Sequence, residues 1–307
     1  MDAPLKSWYV IINPTSGNGS AKKKWPQIKG LLEKYNFNFQ FVFTTHQKNS
    51  IEYVKNAIDL NIKNIISVGG DGTLHNIING IMSQNDVPTS EINVGIIPIG
   101  TGNDWIKTHN IPLNLEGAVQ KIKNGSLATQ DIGKLVIQNN PKPPVFFNNL
   151  AGVGFDGFVV SKIETLKHIG ALAYLYGALV SLFSFKNFES TVFTNSEAIS
   201  GKTLMILIGL CKYSGGGMQL TKNPDPFDGL LDVTVAKDLN KFEIIKNLMK
   251  LFNGTIINYK KVTSFKTESV TIQINQKNPP YIQADGELIG VGNIEVSIIK
   301  KAFSFYC

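Results

Sequence analysis

An apolar run, Ile65-Ile66-Ser67-Val68, leads straight into Gly69-Gly70-Asp71-Gly72-Thr73, and this junction constrains the chain more than any other feature. The run reads as a buried strand. Leu74, Ile77, Ile78 and Ile81 follow at the spacing of one helix face. A glycine-rich turn carrying one carboxylate therefore joins a strand to a helix. Glycine lets backbone N–H groups approach an anion closely, and a helix N-terminus favours negative charge. Asp71 would repel a bare phosphate in such a place. It fits if it faces a magnesium ion, or a hydroxyl, beside a nucleotide. The alternative is a plain tight turn with Asp71 as helix cap, and this segment alone does not separate the two.

Two further loops repeat the pattern. Trp8 to Ile12 reads as a strand, and Asn13-Pro14-Thr15-Ser16-Gly17-Asn18-Gly19-Ser20 follows it, before a helix with Lys22, Lys23 and Lys24 in its first turns. Lysines at a helix start oppose the macrodipole, which a local anion or simple solvation would explain. Ile92 to Ile97 leads into Pro98-Ile99-Gly100-Thr101-Gly102-Asn103-Asp104-Trp105. Three polar glycine loops at strand ends would converge on one edge of a parallel sheet, where open α/β sheets bind ligands. The residues expected to hold a nucleotide are Asn13, Pro14, Ser16, Gly17, Gly69, Gly70, Gly72, Thr73, Gly100, Thr101 and Asn103.

Strands are expected at 8–12, 38–44, 64–68 and 92–98, alternating with helices near 22–35, 50–60, 73–84 and 115–124. That alternation predicts a parallel sheet covered by helices. From 132 the pattern changes to short strands, at 133–138, 145–151, 203–211, 231–236, 260–266, 269–275, 280–284 and 293–299. Two helices interrupt them, near 158–185 and 241–252. The expected fold is an α/β N-terminal domain with a parallel sheet, residues 1–131, followed by a mainly antiparallel β-sandwich domain with two helices, residues 132–307. The last few residues are expected to pack back on the first domain.

The three loops, in their order and spacing, resemble the diacylglycerol kinase catalytic family, which includes bacterial lipid kinases and sphingosine kinases. The resemblance continues through Gln130-Asp131-Ile132-Gly133, the NLAGVGFDG segment from Asn149 to Gly157, GGGMQLTKNPDPFDGLLDV from Gly215, and Ala284-Asp285-Gly286-Glu287. It covers nearly the whole chain. Two positions depart from the family: Asn76 stands where a glutamate is frequent, and Lys107 stands near the place of a frequent arginine. Lysine keeps the charge but not the bidentate fork.

Phosphoryl transfer needs a held triphosphate, charge neutralisation and an oriented nucleophile. The glycine loops can supply the first. Asp71, Asp104 and Asp131 are the carboxylates that can hold Mg²⁺, partly through water. A lipid hydroxyl needs a general base, and Asp285 is the candidate. If residues 285–287 continue a strand, Asp285 and Glu287 share one face. On local sequence alone a hairpin turn explains Asp285-Gly286-Glu287 better. The resemblance implies Asp285 as base, with Asp71 and Glu287 in a metal–water network around it. It also implies a structural magnesium on the Asp228 carboxylate and the carbonyls of Asp225 and Leu230, a segment that turn residues otherwise explain. ATP and Mg²⁺ are the implied cofactors, and a lipid at a membrane surface the implied substrate. The acceptor is open among diacylglycerol, a sphingoid base, phosphatidylglycerol or another lipid alcohol. The competing readings are an NAD kinase and a non-catalytic lipid- or nucleotide-binding protein.

A net charge of +7 and a pI near 9.2 point to an anionic partner. An anionic membrane surface, met peripherally, fits a lipid kinase. Nucleic acid ranks low, because no zinc-finger spacing, RNP-like strand or helix-turn-helix signature is present. Cys211 and Cys307 imply no disulfide framework, which fits a reducing cytoplasm. The first strand begins almost at once, without a basic-then-apolar leader. The sequence leaves the oligomeric state open, with a homodimer as one assembly it allows. The uncharged stretch 169–185 is read as a long, largely buried helix, with a membrane-touching helix as the second reading and a span as the third.

Overall fold

Strand and helix alternate through the first 124 residues because apolar runs of strand length are separated by stretches with helical periodicity. The computed structural model describes residues 6–45, 49–100, 103–163, 184–194 and 197–307. The chain divides into two units, one running to Gln130 and including Lys301–Cys307, the other Asp131–Lys300.

In the first unit, β1 (Ser7–Ile12), β2 (Asn38–Phe43), β3 (Asn64–Gly69) and β4 (Asn93–Pro98) form a parallel sheet in the order β2-β1-β3-β4. The helices are α1 (Ser16–Lys34), α2 (Asn49–Asp59), α3 (Asp71–Ser83), α4 (Asp104–Thr108) and α5 (Leu115–Asn124). Val10, Ile12, Ile66, Val68 and Ile97 on the strands meet Trp25, Ile28 and Leu32 of α1 and Val119 and Ile122 of α5 in one core. Near-continuous apolar strands are what a sheet buried on both faces requires. Helix α1 begins six residues before the expected start. Gly17, Asn18 and Gly19 interrupt it in the left-handed region, which glycine and asparagine tolerate. The end of β15 (Ile294–Tyr306) lies parallel beside β4, with Ser304 opposite Asn93 and Phe305 opposite Val94.

The second unit is antiparallel. β5 (Leu127–Ile137) enters it and pairs with β6 (Val145–Phe147). One path of strands runs β14 (Glu287–Val291), β13 (Tyr281–Ala284), β7 (Leu150–Gly154), β9 (Ala198–Gly209), β8 (Phe188–Phe193), β12 (Ser269–Ile274) and the first part of β15. The second half of β9 also pairs with β10 (Leu231–Lys237), which pairs with β11 (Val262–Thr267). This is the sandwich-like architecture the short alternating strands predict. The described helices are α6 (Phe155–Ile163), α7 (Lys241–Lys246) and α8 (Leu248–Phe252).

Several strands differ from the sequence reading: β14 was not expected, the one strand expected at 145–151 is β6 and β7, and β15 runs on to Tyr306. β5 starts six residues early, because Gln130 and Asp131 are polar yet buried among polar partners and so hide the strand pattern. β8 was not expected, and its alternating FESTVF is strand-like once read apart from its neighbours. The helix expected near 158–185 is described only as α6 and Ser184; the apolar stretch 169–185 falls almost wholly outside the described residues. Among those that are described, no helix is long and apolar enough to cross a membrane.

Candidate active site

β1, β3 and β4 are neighbours and parallel, so the loops that follow them leave the same edge of the sheet. Those loops are tied to one another. Asn13 donates from Nδ2 to Thr73 Oγ1 at 3.2 Å, and its Oδ1 accepts from the Thr15 N–H and hydroxyl. The Ile99 N–H donates to the Gly69 carbonyl at 2.8 Å. A Cβ placed on Gly100 would lie 3.5 Å from the Gly70 Cα, and one on Gly17 would lie 3.6 Å from the Gly100 nitrogen. Asn103, buried and left-handed at φ 43°, donates from Nδ2 to the Gly100 carbonyl. Ser16 donates its N–H to the Asn13 carbonyl, which closes the turn through Pro14. Thr101 lies outside the described residues.

Within the GGDGT turn the glycines differ. Gly69 is demanded by packing, since a Cβ there would fall 2.3 Å from Thr73 Oγ1. Gly70 is not. Its φ of −100° suits any residue, and a Cβ would meet only ordinary contacts, the nearest at 3.6 Å. Gly70 is also the N-cap of the thirteen-residue helix α3, and among the described residues no side-chain cap is found at that end. The first N–H groups of a helix need partners, and an anion can supply them. A residue without a side chain, at an uncapped helix end where the fold would admit one, is a cradle that a side chain would fill.

Asp71 opens α3 and Asp104 opens α4. The Asp104 N–H donates to Asp71 Oδ2 at 2.8 Å, so the two motif aspartates are adjacent. Asp104 is buried, and Lys107 pairs with its Oδ1 at 2.7 Å. The residue that departs from the family arginine therefore neutralises a site carboxylate. Asn76 turns back within its own helix and donates to the Gly72 carbonyl at 3.0 Å. What brings the two residues together is a backbone N–H and not a carboxylate pair; each still offers hard oxygen donors of the kind Mg²⁺ takes when it accompanies a nucleotide, with phosphate and water completing the shell.

Asp131 belongs to the second unit and serves a different loop. Its Oδ2 accepts the Gly229 N–H at 2.7 Å, and its own N–H donates to the Pro226 carbonyl at 2.9 Å. It thus clamps the turn from Asp225 to Leu230. Within that turn Asp225 Oδ1 accepts the Phe227 N–H and Asp228 Oδ1 accepts the Leu230 N–H. Lys266 meets Asp228 Oδ2 at 2.5 Å and Asp232 Oδ2 at 3.1 Å. Burial pushes the Asp232 carboxyl up to about 6 against the opposing pull of Lys266. The ammonium of Lys266 supplies the positive charge at this turn, and both Asp228 oxygens are engaged. A resident magnesium on Asp225, Asp228 and Leu230 does not fit that arrangement. Among the described residues no cluster of three or more His, Cys, Asp or Glu could hold a metal ion.

Asp285 and Gly286 form the two-residue turn between β13 and β14, closed by the Ala284–Glu287 pair. Both have positive φ, 50° and 82°, as a type I′ hairpin needs. They do not continue a strand, so the shared face expected for Asp285 and Glu287 is absent, and Glu287 begins β14. The Asp285 carboxylate reaches back to the segment before β7: Oδ1 accepts the N–H groups of Asn149 (3.0 Å) and Leu150 (3.1 Å), and Oδ2 that of Asn148 (3.1 Å).

Next to this turn lies a carboxylate that sequence reasoning left unassigned. Asp156, at the start of α6, accepts from Gln283 Nε2 at 2.9 Å, and Gln283 Oε1 accepts the Gly286 N–H. Burial pushes the Asp156 carboxyl up to about 6, despite hydrogen bonds from Gln283 and the Gly157 N–H. The NLAGVGFDG segment was the signal that could have found it.

Comparison with known proteins places this arrangement. Residues 7–135 match the diacylglycerol kinase catalytic domain, and residues 149–307 match the YegS C-terminal NAD kinase beta sandwich-like domain. A diacylglycerol kinase of Bacillus subtilis is 28% identical over 294 residues, covering 94% of this chain and 91% of that protein. One of Staphylococcus carnosus is 28% identical over 285 residues, covering 92% and 88%. A crystal structure of a diacylglycerol kinase from Bacillus anthracis shares the fold, with a TM-score of 0.71 at 20% identity, covering 98% of this chain and 96% of that one. With both halves of the chain matched in order, and the glycine loops and the Asp-Gly turn lying within the matched stretches, the chain belongs to the diacylglycerol kinase family.

Proposed function

We propose that this protein transfers the γ-phosphoryl group of MgATP to the hydroxyl of a lipid alcohol, diacylglycerol or a close relative. The observation that carries the nucleotide half is Gly70, a residue without a side chain at an uncapped helix end where the fold would accept one. Asn13, Pro14, Ser16, Gly17, Gly69, Gly72, Thr73, Gly100 and Asn103 are the further residues proposed for the cradle, with Thr101 carried over from the sequence reading alone. Asp71 and Asp104 would hold the magnesium that arrives with the nucleotide, where it neutralises phosphate charge. In the transfer, the bond from Pγ to the β–γ bridging oxygen breaks as the acceptor oxygen bonds Pγ. The acceptor proton passes to a carboxylate. Asp285 is the candidate for that role, fixed in orientation by three N–H groups, with Glu287 beginning the next strand. The lipid half is supported by family membership and by relatives named diacylglycerol kinase. An apolar cavity in the sandwich, lined by Leu204, Ala236, Leu239, Ile244 and Leu251 among others, is of the chemistry that acyl chains fill.

The test uses labelled MgATP with a panel of lipid alcohols in mixed micelles, and NAD, separated by thin-layer chromatography. Labelled product from a lipid alcohol is expected. Product from NAD alone would make this an NAD kinase, and no product beside measurable ATP binding would make it a binding protein. Gly70→Val is expected to fold and melt like the parent but to lose ATP binding. Unchanged nucleotide affinity in that variant would remove the phosphate cradle.

A further inference from the structure

The segment Lys241–Phe252 is apolar on two opposite faces, and among the described residues only one of them has a partner. Ile244, Asn247 and Leu251, spaced by three and four residues, face the sandwich and line its apolar cavity. Phe242, Ile245, Met249 and Phe252 recur at three, four and three residues, the spacing of a single helix face carried across α7 and α8. That second face lies in water. Phe242 is 85% exposed and Met249 76%, with Ile245 and Phe252 exposed beside them. Single exposed apolar residues need no explanation; a run of four along one helical face marks a contact surface.

Charge identifies the occupant. Between Lys241 and Lys261 the chain carries five lysines and one acid, Glu243. Glu243 is already engaged: its carboxylate accepts the Asn240 N–H, Lys261 Nζ and the Tyr259 hydroxyl, which hold its carboxyl low. Lys241, Lys246 and Lys250, interleaved with the four apolar residues, are exposed. Lys250 also lies over the Tyr259 ring at 5.7 Å. A second copy of this chain meeting the face symmetrically would set the same lysines against one another. An apolar interior beneath an anionic surface suits both parts: rings and thioether enter the acyl boundary, and lysine stems reach up to the phosphates.

We propose that α7 and α8 form a membrane-docking face, with Phe242, Ile245, Met249 and Phe252 inserted into an anionic lipid surface and Lys241, Lys246 and Lys250 on its headgroup phosphates. The use of this face presupposes the lipid-acceptor reading above, but the contact itself is measured without turnover. Co-sedimentation of the full chain compares vesicles of phosphatidylglycerol mixed with phosphatidylcholine against phosphatidylcholine alone. At low salt the anionic vesicles are expected to bind at least tenfold better. Phe242→Glu with Met249→Glu should weaken that binding at least tenfold, with the melting temperature and ATP affinity kept. Phe242→Leu with Met249→Leu should retain it. Replacing the three lysines by glutamine should cost about tenfold at low salt and little at high salt, where charge is screened. The inference is overturned if the double glutamate variant binds like the parent. It is also overturned if the parent is a dimer in solution that this variant splits, because the face would then belong to a second copy. Vesicle binding without lipid product would sink the kinase reading and leave the docking face standing; lipid product from micelles, with vesicle binding indifferent to these residues, would do the reverse.

Discussion

Asp285 combines two demands on one side chain. Its backbone makes a left-handed turn, and its carboxylate accepts three N–H groups from residues 148–150. An amide turns one acceptor into a donor facing an N–H, so Asp285→Asn should lower stability by about 1–3 kcal/mol whatever its role in turnover. If Asp285 is also the base, kcat falls by a further ~10²–10⁴ in protein shown to be folded. Melting temperature, ATP binding and turnover on this variant separate the two effects. Turnover within a few-fold of the parent, corrected for folded fraction, would leave Asp285 as a clamp and no more. Lys107 and Asn76 belong to the same scale: one neutralises Asp104 and the other satisfies a helix carbonyl, so both departures from the family have local structural uses.

At the scale of elements, the junction of β7 and α6 is built around one close approach. A Cβ on Gly152 would fall 1.9 Å from Asp156 Oδ2, and the same carboxylate takes the Gln283 amide that in turn accepts the Gly286 N–H. Strand, helix and hairpin turn are thereby held by one buried carboxyl. Gly152→Ala should destabilise by about 1–3 kcal/mol or more, since neither the strand backbone nor the carboxyl can withdraw without losing partners. Asp156→Ala removes the obstacle but leaves the Gln283 amide without its acceptor. The double variant should be less destabilised than the summed single variants by at least about 1 kcal/mol, because the overlap exists only when both groups are present. Urea midpoints of the four proteins test this; additive effects would show that the two residues do not constrain each other.

For the whole molecule, pH pulls the two units in opposite directions. His109, in the first unit, packs at a tilt against Trp105 and edge-on against Phe305, and burial lowers its imidazole to about 4. A base held below its ordinary value near 6.5 contributes stability that is complete above pH 6.5 and is lost as pH falls towards 4. The full effect is on the order of 3 kcal/mol. Asp156 and Asp232, in the second unit, are raised to about 6 by burial. Their contribution is complete below about pH 4 and is lost as pH rises through 6. The three tryptophans, Trp8, Trp25 and Trp105, all lie in the first unit, so their fluorescence follows that unit. His109→Gln should flatten the fall in tryptophan-detected stability between pH 6.5 and 4, so the parent's advantage shrinks across that range. A parent and variant with parallel pH profiles would show that His109 does not carry the dependence.

The residues by themselves determined the alternation of the first unit, the three glycine loops at strand ends and the sandwich character of the second unit. Those features follow from short-range rules of spacing, turn chemistry and burial. Tertiary structure decided what spacing cannot encode. It brought Asp71 and Asp104 side by side while tying Asp131 to the turn at Gly229. It put the ammonium of Lys266 where the resemblance implied a metal at Asp228. It hid the start of β5 behind Gln130 and Asp131, whose polarity reads as loop until their buried partners are known. It left one face of α7 and α8 bare, which hydropathy alone cannot distinguish from a buried one. In each case a side chain's role is set by partners distant in sequence, or by their absence, and local pattern carries no record of those.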